Sequence, residues 1–372
     1  MNPGRAGRIL AWCGPGEVRV AALDEDVLLD AAIWRPGAPD GVGDLCRGRV
    51  DAVVPAMAGA FVAIPGAVGF LPDSDGAARL GVGQAIHVRV TRAAQGGKGP
   101  RLSARGVKGG GAGAPALLHR GPGAVERLAA LHPGASVLVD DPAMVVRLRP
   151  ALGARVSHAA RLDDDALAAF EALSDPVAAL PGGLRVSFHP TPALVAVDLD
   201  TGALTAERRS KGAAQWAANL AVLPALARQI RLRNLSGAIV VDLAGLSVRR
   251  RAALAPEFAR ALVDDPLAPR FLGFSALGLA EILRPRAHPP LHELLAGPHA
   301  AGLRALRRIA AEAAARPAVS FALRAAPDVV EALQADAEAL PDLARRTGRT
   351  LMVRSDPALP PGACAAEETH RA

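Results

Sequence analysis

Along the first hundred residues apolar positions come in runs too short for helices. Runs at 9–12, 18–23 and 27–29 are separated by Gly14-Pro15-Gly16 and Asp24-Glu25-Asp26, residue types that reverse a chain, and predict a β-meander. The pattern continues at 49–54, 60–64, 68–71 and 84–90. About five short strands in so compact a stretch predict a small closed barrel of OB type over 41–106. The following 107–114 is glycine-rich with little to bury, and reads as a flexible linker. Between 115 and 180 helical periodicity is interrupted by a strand at 136–140. The order then becomes strand (193–198), helix (213–233), strand (238–243), helix (248–263), strand (270–274), which implies an α/β sheet within 181–290. His288-Pro289-Pro290 and Pro298 break the chain. An amphipathic helix at 303–316, a strand at 318–323, a helix at 328–347 and a strand at 351–354 predict a separate small α+β domain at 300–360.

Composition narrows the class. A chain of 372 residues with 51% hydrophobic side chains can build two or three cores, so wholesale disorder is excluded. With 43 Lys+Arg against 36 Asp+Glu the formal charge is +7, which admits a polyanionic partner without establishing one. Cys13, Cys46 and Cys364 are far apart in sequence and lack Cys-x-x-Cys spacing, which argues against a disulfide framework or structural zinc and fits a reducing cytoplasm. The N-terminus lacks the apolar core of a signal peptide, and no long uncharged apolar run follows, so no membrane partner is expected.

Three carboxylates sit at the ends of two apolar β-branched runs: Asp198 and Asp200 after 193–197, and Asp242 after 238–241. In a strand Asp198 and Asp200 share one face while Val195, Val197 and Leu199 take the other. If the two strands are parallel, their carboxyl ends lie at one sheet edge, where ligands bind. Acids converging there would suit Mg²⁺, a hard cation that takes one or two carboxylates and completes its shell with water and phosphate oxygens. Arg228, Arg231 and Arg233, close by in sequence, are candidate contacts to a phosphate backbone. Each feature has a plainer reading as well. A strand-end Asp is commonly a helix cap or turn former, arginines at a helix C-terminus complement its dipole, and Phe61 and Phe70 on barrel strands can be core side chains or base-stacking platforms.

Longer motifs resemble the ribonuclease E/G family of bacterial endoribonucleases. Arg47-Gly48-Arg49-Val50, Pro55 through Ile64, Gly69-Phe70-Leu71-Pro72 and Gly97-Lys98-Gly99-Pro100-Arg101-Leu102-Ser103 look like its RNA-binding barrel. Ala196-Val197-Asp198-Leu199-Asp200-Thr201-Gly202 is similar to its first acidic motif, Asn219-Leu220 to its Asn-Thr-Asn-Leu, and Ala227 through Asp242 to its arginine-rich segment and second acidic motif. Gly273 through Leu279, with Glu281, Arg284 and Arg286, continues the match. The resemblance implies an α/β multidomain architecture: an OB-fold barrel (41–106) inserted in an RNase H-like subdomain (1–40 and 115–180), then a DNase I-like catalytic subdomain (181–290). It further implies that Asp198 and Asp242 ligate Mg²⁺, that Asp200 is an additional or orienting acid, and that Phe61, Phe70 and Lys98 grip single-stranded RNA. Cleavage would leave 5′-phosphate and 3′-hydroxyl ends.

Three departures stand out. Asp200 replaces the family's Asn. Ser103 runs straight into the glycine-rich stretch, where the family carries its pocket for a 5′-monophosphate. Leu295-Ala296-Gly297-Pro298-His299 stands where the family has its zinc-linking cysteines, so zinc-linked assembly is not expected, although the 300–360 domain could still pair as a homodimer. A catalytically silent RNA-binding protein of the same fold, and a DNA-directed nuclease, stay open at this level.

Overall fold

The computed structural model describes residues 5–107, 109, 113–200, 211–243 and 245–369. They fall into two compact units, one made of Met1–Pro39, Gly123–Arg284 and Pro290–Ala372, the other of Asp40–Pro122 and Pro285–Pro289. Thr201 and Gly202 of the first acidic motif, and 108 and 110–112 of the expected linker, lie outside the described residues.

The chain opens with β1 (Arg8–Gly14), β2 (Glu17–Asp24) and β3 (Val27–Trp34), the antiparallel meander that the spacing of turns predicts. It then builds the second unit from β4 (Leu45–Val54), β5 (Gly59–Ile64), β6 (Ala67–Pro72), β7 (Ala85–Arg92), β8 (Arg101–Ser103) and β9 (Ala116–His119). Pairing in the order β4-β5-β6-β8-β7 returns to β4 and closes a five-stranded barrel, with β6 and β8 parallel and the other pairs antiparallel. This is the strand order of an OB fold. Alternation explains its core, because every second residue (Val50, Ala60, Val62, Leu71, Val88, Val90, Leu102) points inward and is buried. The boundary expected near 107–115 falls later. Strand β9 hydrogen-bonds to β4 and keeps the chain with the barrel to Pro122.

The first unit resumes with α1 (Ala124–Leu131), β10 (Ser136–Val139), α2 (Pro142–Leu152), β11 (Val156–His158) and α3 (Asp164–Glu171). β10 adds parallel to β1 and β11 parallel to β10, giving the sheet order β11-β10-β1-β2-β3. Both faces are covered. Ile9, Val18 and Val20 pack with α1 and α2, while Leu10, Trp12 and Leu23 pack with Phe170 of α3, which is why β1 and β2 read as continuous apolar runs.

A second sheet follows: β12 (Val177–Ala179), β13 (Arg185–Pro190), β14 (Val195–Asp200), α4 (Lys211–Leu232), β15 (Gly237–Asp242), α5 (Val248–Ala252), α6 (Ala255–Ala261), β16 (Arg270–Phe274) and β17 (Ala280–Arg284). Its order is β12-β13-β14-β15-β17-β16. Val195, Val197, Leu199, Ile239 and Val241 bury one face against Val222, Leu226 and Ile230 of α4 and Phe258 of α6. The single helix expected at 248–263 is two, because Pro256 lacks an N–H and fits only a first turn, so a new helix starts there.

The last layer comprises α7 (Leu291–Leu294), α8 (Gly297–Ala315), β18 (Ser320–Ala325), α9 (Pro327–Ala335), α10 (Ala339–Thr347), β19 (Met352–Ser355) and β20 (Cys364–Thr369). The helix expected at 328–347 is also split. Asp336 ends it by accepting the N–H groups of Glu338 (2.9 Å) and Ala339 (3.1 Å) on Oδ1, as a capping residue does. This layer is not set apart as expected. Gly16 N–H donates to Asp342 (3.3 Å), Arg307 to the Glu17 carbonyl (3.1 Å), and Arg346 pairs with Asp141, so it belongs to the same compact unit as the first sheet. Among the described residues no helix is long and apolar enough to cross a membrane.

Candidate active site and nucleic-acid interface

β14 and β15 are parallel neighbours, with Asp198 the register partner of Asp242. Partners in adjacent strands share a face and stand about 4.8 Å apart along the hydrogen-bonding direction. The alternation that buries Val195, Val197, Leu199, Ile239 and Val241 puts Asp198, Asp200 and Asp242 on the opposite, solvent-facing side. These two acids, 44 positions apart in sequence by subtraction of 198 from 242, therefore stand side by side. Like charges so placed repel, a cost that exposure to solvent and a neighbouring guanidinium reduce.

One cation comes from the chain itself. Arg251 of α5 donates to Asp242 Oδ1 (2.5 Å), to the Leu246 carbonyl (2.8 Å) and to the Gly278 carbonyl (3.1 Å), which pins the guanidinium over the acidic edge. A shallow depression of about 220 Å³ is lined by Asp198, Leu199, Asp200, Asp242, Leu243, Gly245 and Arg251. Arg249 and Arg250 are exposed on the same short helix. The flanking strand β13 places Ser187 opposite Asp198 and Arg185 opposite Asp200, and His189 Nε2 lies 2.9 Å from Ser187 Oγ. Reading the sequence missed Arg251, Arg185, Ser187 and His189. The run Arg249-Arg250-Arg251 just past Asp242 was the available signal for the first.

The donor set is oxygen-only, accessible and open to water, which suits a hard divalent cation bound by two carboxylates with solvent and phosphate completing its shell. Among the described residues no group of three or more His, Cys, Asp or Glu side chains is placed to cage a metal ion. The three cysteines are free thiols, each raised above its ordinary pKa chiefly by burial.

The arginines expected beside these acids are elsewhere. Because β14 and β15 are parallel, α4 must carry the chain back to the edge where β15 begins. Its last turn is therefore a strand's length away from Asp242. Arg231 forks onto Asp30 of β3, Nε to Oδ1 (2.6 Å) and Nη2 to Oδ2 (2.5 Å), and Nη1 donates to the Asp264 carbonyl (2.7 Å). Arg233 is 5% exposed. It donates to the carbonyls of Leu173 (2.5 Å) and Asp175 (2.7 Å) and lies 4.5 Å over the Phe188 ring, and burial lowers its pKa to about 10. Both are structural ties rather than phosphate contacts. Arg228 remains half-exposed, lining a cavity of about 410 Å³ with Pro224 and Glu257 at that same far edge. Arg284 is likewise buried, bound to Asp265 (2.6 Å).

In the barrel, Phe61 and Phe70 are register partners with ring centroids 5.5 Å apart, edge to face. Neither belongs to the buried core, and both are half-exposed on the outer surface. Lys98 is exposed in a tight turn closed by backbone bonds to Gln95. Gly99 is required next to it, since a Cβ there would stand 2.0 Å from the Val68 carbonyl oxygen.

Residues 163–287, which hold all three aspartates and Arg251, match the model of the Ribonuclease E/G family. Over this segment the chain is similar to that family. The chain is also similar to Ribonuclease E of Nostoc sp. (34% identical over 116 residues, 31% of this chain and 17% of the relative) and to Ribonuclease E of Synechocystis sp. (32% over 120 residues, 32% and 18%). A longer match, to Ribonuclease G of Salmonella typhimurium, is 29% identical over 195 residues, 48% of this chain and 39% of the relative. The chain thus spans well under half the length of these ribonuclease E/G relatives.

Proposed function

We propose that this chain is an endoribonuclease that cuts single-stranded RNA with a divalent cation, Mg²⁺, held by Asp198 and Asp242. The observation that carries the reading is the register pairing of these two acids on the open face of a rigid sheet, inside the ribonuclease E/G segment. When bound, the cation would supply Lewis-acid stabilisation of the phosphate and activation of the attacking water, leaving 5′-phosphate and 3′-hydroxyl ends. The chain's own residues do the rest. Neighbouring strands preset the spacing of the two carboxylates, so little reorganisation is needed to receive an ion. Arg251 orients Asp242 and brings a guanidinium to the same depression, where it can take a phosphate oxygen. Asp200, opposite Arg185, acts as an orienting acid at the rim. On the barrel, half-exposed rings and the Lys98 ammonium suit a single strand, whose bases are free to stack. The sheet order β3-β2-β1-β10-β11 supports an RNase H-like first subdomain, and the acids at parallel strand ends support a DNase I-like second one.

The test is cleavage of a fluorogenic single-stranded A/U-rich RNA and of its DNA counterpart, with Mg²⁺ and with a chelator. Cutting of the RNA that needs the cation, and little cutting of the DNA, is expected. Chelator-resistant cutting, or equal cutting of DNA, would sink the proposal, and tight RNA binding with no cutting would favour a silent binding protein. A second expectation concerns the RNA end. β8 is followed by the short return to β9, with no added domain among the described residues. The 5′-monophosphate and 5′-hydroxyl forms of one RNA should therefore be cut at similar rates, and a large preference for the former would show a sensor elsewhere.

A further inference from the structure

Four barrel strands each contribute one side chain to a transverse row. Phe61 of β5 partners Phe70 of β6, Phe70 partners Arg101 of β8, and Arg101 partners Arg92 of β7. Register partners share a face, and here it is the outer one, because Val62, Leu71 and Leu102, adjacent to Phe61, Phe70 and Arg101, are in the core. Arg92 reaches that face through a break in the ladder. Val90 pairs with Leu102 and Arg92 with Arg101, so Thr91 is an extra residue. Strict alternation would turn Arg92 to the same side as Val90, into the barrel, and the bulge re-aims it outward.

A third guanidinium joins from a distant part of the sequence. The segment Pro285–Pro289 folds with the barrel, with Ala93 N–H donating to the Ala287 carbonyl (2.8 Å). It brings exposed Arg286 close enough to Arg92 that burial, Arg101 and Arg286 together lower the Arg92 pKa. The carboxylate facing this cluster is Asp75, shared between Arg101 (3.4 Å) and Arg105 (3.0 Å). Arginines held together repel one another, a cost that a polyanion relieves.

We infer that this row is a track on which single-stranded RNA crosses the barrel from β5 to β7, stacking bases on Phe61 and Phe70 and laying successive phosphates on Arg101, Arg92 and Arg286. The inference rests on the RNA reading above and adds to it the path of the strand and three phosphate contacts, Arg101, Arg92 and Arg286. Three strand spacings make the row about 14 Å long.

The experiment measures binding of a labelled oligouridylate to the full chain by fluorescence anisotropy, in chelator and over a series of salt concentrations. Wild type is compared with Arg92→Gln, Arg286→Gln, Phe70→Ala and, as a control off the row, exposed Arg79→Gln. Each lost phosphate contact removes about 0.7 from the slope of log K against log salt for a single strand, so Arg92→Gln and Arg286→Gln should each lower the slope by about that much and Arg79→Gln should not. Phe70→Ala should weaken binding roughly fivefold to a hundredfold with the slope unchanged. If Arg92→Gln perturbs folding, Arg286→Gln, on an exposed segment, reads the same contact cluster. Binding that depends on Phe70 while both arginine variants keep the wild-type slope overturns the track and leaves the RNA reading intact. Absence of RNA binding by wild type overturns both.

Discussion

Asp198→Asn and Asp242→Asn are each expected to lower cleavage of a single-stranded RNA by about 10²–10⁴, the scale on which removing a group that stabilises transition-state charge acts. Asn keeps the shape and removes the charge, and both side chains are exposed, so the fold should not suffer. Relief of the repulsion between register partners should even leave Asp198→Asn slightly more stable than wild type without a divalent cation. Added Mg²⁺ should raise the melting temperature of wild type and not of either variant, because only a state that binds the ion gains from it. Asp200→Asn should stay within about tenfold of wild type, since its loss leaves the adjacent pair intact. Cleavage by Asp242→Asn at the wild-type rate, or a Mg²⁺ shift that survives both substitutions, would remove the metal site from these residues.

The second large effect is on stability. Asp30 is buried and receives Arg231 as a two-pronged partner, with His132 Nε2 2.7 Å away. His132 Nδ1 accepts the Ala6 N–H (3.0 Å), so its proton sits on Nε2 and points at Asp30. This network ties α4 to β3 and the second sheet to the first. Arg231→Met leaves a buried carboxylate without its cation and is expected to cost about 3–5 kcal/mol in urea unfolding. Adding Asp30→Leu should recover much of that loss, since an apolar pair can replace a buried ion pair at little net cost. A loss under about 1 kcal/mol for Arg231→Met, joined to a fall in the salt slope of RNA binding, would return Arg231 to the phosphate contacts.

Periodicity alone located most strands because their faces differ: β5 alternates and has one face on the barrel core, while β1 and β2 carry apolar runs (9–12 and 20–23) that are covered on both sides. Among the strands it passed over, β13, β17 and β20 are short and mix charge with small residues, and β8, β9, β11 and β12 are only three or four residues long, so their extended form comes from the neighbours they pair with. The broken helices were legible in part, since Pro256 and Asp336 mark the breaks. The arginines show the limit of reading along the chain. Arg233 lies close to Asp242 in sequence, yet β15 runs between them and carries one end away from the other. Arg251, past the far end of that strand, is the guanidinium that reaches the acids.

The order of residues by itself determined which side chains face inward, where acids end the two apolar strands, and that a small barrel interrupts the chain, because these follow from local alternation and turn chemistry. Only the tertiary structure decided which charges meet. Parallel pairing set Asp198 beside Asp242, a bulge turned Arg92 outward beside Arg101, and the return path of α4 took Arg231 and Arg233 into buried ties. Those outcomes depend on strand direction and register, and no spacing within a single segment contains that information.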